Sequence, residues 1–109
     1  MDVPERIREA VLPIVPVCVP GIYQGDEQVY CTFNDSRSPE EVGDNRVTLI
    51  AHQVQLHYFL PWPDDPRRTI KALCRAVEEA GFTYPEVADA SDVDGQHYAL
   101  EFEDVDGDV

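Results

Sequence analysis

Three histidines and three cysteines are the side chains of this sequence best suited to metal binding or nucleophilic chemistry: His52, His57, His97, and Cys18, Cys31, Cys74. Two of the histidines fall in one run, AHQVQLHYFL at residues 51–60, beside Gln53, Gln55 and Tyr58. Along an unbroken strand the five-residue separation of His52 and His57 puts them on opposite faces. A bulge would return them to one face but leave them roughly 16 Å apart at the usual strand rise. Ligands of one zinc ion must each come within about 2 Å of it, so the two cannot share a metal. His97 can neighbour one of them across a sheet, yet no CxH, HExxH or carboxylate partner stands at ligand spacing. The cysteines are widely separated, odd in number and without a CxxC pair, which reads as buried thiols rather than a disulfide framework or zinc knuckle.

Two further patterns fail as sites. In ASDVDGQHYALE, residues 90–101, setting Gly95 at the sixth position of a calcium loop puts Asp92 and Asp94 at positions 3 and 5, with Glu101 at 12. The first position is then Ala90, which lacks the anchoring carboxylate, and a strand pattern replaces the flanking helix, so the segment reads as an acidic turn entering a strand. GxSxG, P-loop and GxGxxG motifs are absent. No catalytic, cofactor-binding or metal-binding residue is assigned, and the chain reads as a non-enzyme.

The charge balance narrows the partners. With 22 acids against 8 Lys and Arg, the net charge is −14 over 109 residues. Such a surface repels nucleic-acid backbones and anionic membranes, both of which are held by Lys and Arg. Direct nucleic-acid binding is excluded on this ground, while a basic protein partner, or mimicry of the charge of DNA, stays open. The length suits one domain, 1–109, with a core that needs no staples. The opening MDVPERIREAV has no basic stretch leading into an apolar one, as a secretory signal would, and no apolar run approaches the ~20 residues of a membrane span. A reducing cytoplasm is the expected compartment.

The elements that carry these residues follow from caps and periodicity. Residues 1–12 hold an N-terminal helix, with Asp2 as cap, Glu5 three residues on, Ile7 and Val11 on one face, and Pro13 as its stop. Pro13, Pro16 and Pro20 make residues 13–20 a proline-rich arm, extended but confined to an edge or a covering position. A strand is expected near 28–34 and a polar loop over DSRSPEEVGDN. Residues 46–60 form the longest strand candidate. Val54, Leu56, Tyr58 and Leu60 take its buried face and Gln53, Gln55 and His57 the other. Val47, Leu49 and Ala51 have the opposite phase, so either this part is buried on both faces or a bulge near 51–53 shifts the register.

After PWPDDP, a helix is predicted over 66–80. Asp65 caps it, Pro66 enters its first turn, and Ile70, Leu73, Cys74, Val77 and Ala80 form its buried stripe. Gly81 suits the left-handed position beyond its end, with Phe82 packing back on Val77. QHYALEFEDV supplies a last strand that buries Tyr98, Leu100 and Phe102, and residues 104–109 are expected to fray. The predicted fold is α+β: a mostly antiparallel sheet of about four strands with two helices on one face.

One feature departs from local expectation. Four of the eight cations, Arg67, Arg68, Lys71 and Arg75, crowd the first half of one helix. There they oppose the helix dipole and repel one another at i, i+4. A basic ridge on so acidic a chain is either a solvated helix face balanced by nearby acids or one half of a head-to-tail self-association, in which it meets the acidic face of the next copy. Gln53, Gln55 and His57 then face solvent, a neighbouring copy or the lumen of a ring.

The segments VYCTFN (29–34), VQLHYFLP (54–61), RAVEEAGFTYPEV (75–87) and DGQHYALEFE (94–103), preceded by the helix and proline-rich arm, together resemble the small tail-completion or tail-terminator proteins of long-tailed bacteriophages and prophages. The resemblance spans nearly the whole chain and rests on the order and spacing of these segments. PWPDDPRR departs from the family pattern. The resemblance implies a structural role: a ring, commonly hexameric, at the head-proximal end of the tail tube, which stops tube growth and meets head-completion proteins. The implied partners are the chain itself, the tail-tube protein and head-completion or connector proteins. The implied location is the virion tail, after assembly in the bacterial cytoplasm. The competing reading from another class is an acidic inhibitor or DNA mimic that occupies the groove of a basic host protein.

Overall fold

The computed structural model describes residues 2–42 and 47–106, with side chains described outside residues 37–51, 105 and 106. Helix α1 spans Val3–Val11, and the Glu5 N–H donates to Asp2 Oδ1 at 2.9 Å, so the predicted cap forms. Helix α2 spans Arg67–Glu79. Its cap position is Pro66, not Asp65, but the Asp65 carboxylate accepts from the Arg67 N–H at 3.1 Å and satisfies one of the helix's orphan donors from a residue further back. At the other end, Gly81 has φ +102°, a conformation that favours glycine. Its N–H reaches Glu78 O at 3.0 Å, while the Phe82 N–H reaches Val77 O at 3.1 Å. These two bonds are a Schellman ending, and Phe82 is buried behind it.

The sheet has five strands, one more than predicted: β1 (Cys18–Pro20), β2 (Tyr30–Val42), β3 (Val47–Leu60), β4 (Glu86–Asp89) and β5 (Gln96–Asp106). Their spatial order is β1-β2-β3-β5-β4. Only β1 runs parallel to its neighbour; the other pairings are antiparallel. The proline-rich arm thus supplies the short edge strand β1, where prolines are tolerated.

Three sequence expectations change. The stretch read as a polar loop after residue 34 continues as β2 to Val42, paired rung for rung with β3 as far as Val42↔Val47. Pro39 fits there because β1 covers β2 only at residues 31–33, leaving the outer edge of β2 unpaired further on. The second is the possible bulge near 51–53. Pairing of β3 with β2 and with β5 runs through those residues without an insertion, so the strand is continuous. The side chains of Val47, Leu49 and Ala51 lie outside the described ones. Last, β5 runs on through Asp106 where fraying was expected, because β3 supplies a partner as far as Ile50↔Asp106.

Helices α1 and α2 share one buried cluster with a single face of the sheet. Ile7 and Val11 of α1 and Leu73 and Val77 of α2 close on Phe33, Val54, Leu56 and Leu100. Ile70 and Ala80, predicted in the α2 stripe, pack at its margin, as does Tyr98. All three cysteines are free and buried. Burial pushes the Cys18 thiol up to about 11 and also raises Cys31 and Cys74, so these groups are neutral packing residues at physiological pH.

At the far end of the helix-covered face the core gives way to charge. Arg6 of α1 donates to Asp104 Oδ2 at 2.8 Å and to Ala80 O at 2.8 Å, with its guanidinium 4.2 Å above the Phe82 ring. One side chain thus ties α1 to the end of α2 and to β5. His52 stands on this side too, its Nδ1 3.7 Å from Asp35 Oδ2 and without a hydrogen-bond partner among the described residues. The long axis of the molecule is 52 Å against 25 and 24 Å for the others, which fits strands of up to 14 residues.

Candidate functional site

Among the described residues no helix packs on the other face of the sheet, and its rungs change character along the strands. At one end Tyr30, Phe59 and His97 lie side by side. The next rungs are Thr32–His57–Ala99–Ala88, Asn34–Gln55–Glu101–Glu86 and Ser36–Gln53–Glu103. His57 and His52 therefore do lie on opposite faces, as strand parity requires. Gln53, Gln55 and His57 lie together on the open side, with Gln53 and Gln55 exposed and His57 half-buried.

The first rungs form a continuous stack of rings. Centroid separations are 4.7 Å for Tyr23–Tyr30, 4.7 Å for Tyr30–Phe59, 4.3 Å for Phe59–His97 and 5.0 Å for His97–His57. The chain is closed by a hydrogen bond between His57 Nδ1 and His97 Nε2 at 2.8 Å. One imidazole must therefore offer a lone pair and remain neutral. Burial, and then the charge of His97, lower the His57 pKa below its ordinary value, with Glu101 opposing; burial likewise lowers that of His97 against Asp92 and Asp89.

Further along, the face turns acidic. Glu86 and Glu101 are direct cross-strand partners, a like-charge arrangement that disfavours the sheet. Among the described residues the Gln55 amide, donating to Glu101 at 3.2 Å, relieves it. Like charges set face to face on an exposed surface read as a binding feature rather than a folding one.

The basic ridge lies on the opposite side of the molecule, on the outward face of α2, and the structure divides it. Arg67 is engaged locally: its Nε and Nη2 reach the Asp65 carboxylate at 3.0 and 2.8 Å, and these bonds hold Asp65 down to about 2. Arg68, Lys71 and Arg75 are exposed and, among the described residues, form no ion pair. With Ile14, Ala72, Ala76 and one acid, Glu79, they line a shallow groove between α2 and the segment after α1.

The acidic turn at residues 92–95 closes on itself. The Asp92 N–H donates to Gly95 O at 3.0 Å and the Asp94 N–H to Asp92 Oδ1 at 2.9 Å. This is the turn into β5 that the sequence implied.

Sequence reasoning missed the ring stack and the Glu86–Glu101 rung. The Glu86–Glu101 rung was not accessible, because β4 buries no residue that could set its register. The approach of His97 to His57 was accessible by matching the buried triads of β3 and β5. Setting Leu56 against Leu100 places His57 opposite Ala99 and diagonal to His97.

Neither protein-family models nor curated proteins give a match to this chain.

Proposed function

We propose that the chain is a structural ring protein of a bacteriophage or prophage tail. It assembles head-to-tail with itself at the head-proximal end of the tail tube, ends tube growth, and joins the tail to head-completion proteins. The observation that carries this reading is the placement of opposite charges on opposite sides of the molecule. Arg68, Lys71 and Arg75 face outward from the helix layer, and Glu86, Glu101 and Glu103 lie on the helix-free face of the sheet. A surface pair of this kind is complementary between copies but not within one copy. It favours heterologous contacts, which close into rings when the rotation per copy allows. The long β2–β3 hairpin gives each copy a means of reaching its neighbour. The resemblance of the ordered segments to tail-terminator proteins supports the viral context, with the virion tail as location after assembly in the host cytoplasm.

Native mass measurement of the purified chain, alone and with a tail-tube subunit, tests the reading. Rings or capped tubes are the expected result, lost in the triple variant Arg68→Glu, Lys71→Glu, Arg75→Glu and retained in Arg67→Glu, whose side chain is already engaged. A strict monomer that binds neither tube nor head-completion protein would end the proposal. Tight binding to a basic DNA-binding protein instead would establish the acidic-inhibitor alternative.

A further inference from the structure

The pairing of two ring nitrogens at the aromatic end of the open face has a use beyond holding strands together. His57 on β3 and His97 on β5 are diagonal neighbours, and their nitrogens Nδ1 and Nε2 point at each other across 2.8 Å. The His97 ring is held from behind: it stacks on Phe59 at 4.3 Å, and its own backbone N–H is fixed by Ser91 Oγ at 3.0 Å. Zinc–nitrogen bonds of about 2.0–2.1 Å at a tetrahedral angle put two ligating nitrogens about 3.3 Å apart. To admit an ion in place of the shared proton the two rings must part by about half an ångström and turn so that their lone pairs converge on it rather than on each other.

We propose that His57 and His97 form a two-histidine site for a borderline divalent cation of the zinc, nickel or copper type. Neutral imidazole suits these ions and not calcium or magnesium, which take oxygen ligands. Entry of the ion requires a change of tautomer along with this parting and turning of the rings. The proton in the gap moves to an outer ring nitrogen, so that both inner nitrogens present lone pairs and neither ring changes charge. Among the described residues no third histidine, cysteine, aspartate or glutamate joins the pair within reach of one ion. Water completes the coordination, and the site stays open on its outer side. The −14 charge of the chain raises the local concentration of cations, and Glu101 flanks the pair one rung away. Competing ligands are removed by the fold: the three thiols are buried and His52 lies on the other face. This site does not depend on ring assembly, since both ligands belong to one copy.

The test uses the untagged full-length chain, stripped of metal and titrated with Zn²⁺ or Cu²⁺ against a chromogenic chelator at neutral pH. One ion per chain is expected. His57→Gln and His97→Gln should each weaken binding by roughly tenfold or more, and His52→Gln should leave it unchanged. Binding should weaken as the pH falls into the lowered range of these imidazoles, since each ring must be unprotonated at its inner nitrogen to ligate. Nitrogen-resolved imidazole spectra of the unsubstituted protein give a readout that needs no variant, and both His57 and His97 should shift on addition of zinc. Absence of binding, binding retained in the His57→Gln/His97→Gln double variant, or zinc shifts confined to His52 would each overturn the site.

Discussion

On the face covered by the helices, successive rungs of β2, β3 and β5 read Cys31–Tyr58–Tyr98, Phe33–Leu56–Leu100 and Asp35–Val54–Phe102. One residue along the same strands, on the face without helices, they read Thr32–His57–Ala99, Asn34–Gln55–Glu101 and Ser36–Gln53–Glu103. The two faces share a backbone, a register and a twist, and differ only in what lies against them. The covered face is selected by volume, with Leu56 and Leu100 completely enclosed. The open face carries stacked rings, carboxamides and opposed carboxylates that packing does not require. That difference separates the residues that hold the fold from those that packing leaves free.

The sharpest way to break the comparison is to truncate adjacent residues on opposite faces of β3. Leu56→Ala leaves a cavity in the centre of the core and should cost about 2–5 kcal/mol in denaturant unfolding. Gln55→Ala, its immediate neighbour, should change stability by no more than about 0.5 kcal/mol. Similar costs for the two would mean that the open face is itself packed against something in the folded chain.

The margin between the faces gives a smaller effect. Arg6 lies where the apolar core ends, bonded to Asp104 and Ala80 O and stacked over Phe82. Arg6→Ala should cost roughly 1–3 kcal/mol, because a partly buried carboxylate and a helix-terminal carbonyl both lose a charged donor. Arg6→Lys should recover only part of it, since one ammonium cannot reproduce the planar fork or its stacking. Full recovery by lysine, measured as the same unfolding midpoint as the parent chain, would show that charge alone matters at this margin.

How much of this was legible in the sequence depended on whether a residue's role was set locally. The Schellman ending at Gly81 and Phe82, the cap at Asp2, and the division of β3 into Val54–Leu56–Tyr58 and Gln53–Gln55–His57 all follow from period and turn chemistry, and all are present. The continuation of β2 through Ser36, Pro39 and Glu41 was not legible, because its local composition is that of a loop. Only the partner strand β3 makes extended structure favourable there, a long-range term that propensity does not contain. The ridge on α2 was visible as a run of cations, but the withdrawal of Arg67 into a local pair with Asp65 depended on side-chain geometry. His57 and His97 lie 40 positions apart, and only the register of β3 against β5 brings their nitrogens into contact.

The smallest effect concerns that pair and its dependence on proton concentration. Both pKa values lie below the ordinary histidine value of 6.5 in the folded chain, for burial in each case and, for His57, for the nearby charge of its partner. The unfolded chain therefore takes up protons first as the pH falls, so it binds more protons than the folded one below about 6.5. Stability should be level above that value and decline as the pH drops through it towards the lowered folded values. The acids with lowered pKa values, Asp65 and Asp89, ordinarily titrate near 3.8, so their contribution is lost only below that range. The window from about pH 6.5 to about pH 4.5 thus isolates the imidazoles. Urea unfolding across it should show a slope in the parent chain that is reduced in His57→Gln/His97→Gln, whereas Leu56→Ala should lower the whole curve without flattening it. An unaltered slope in the double histidine variant would move the pH dependence off the open face.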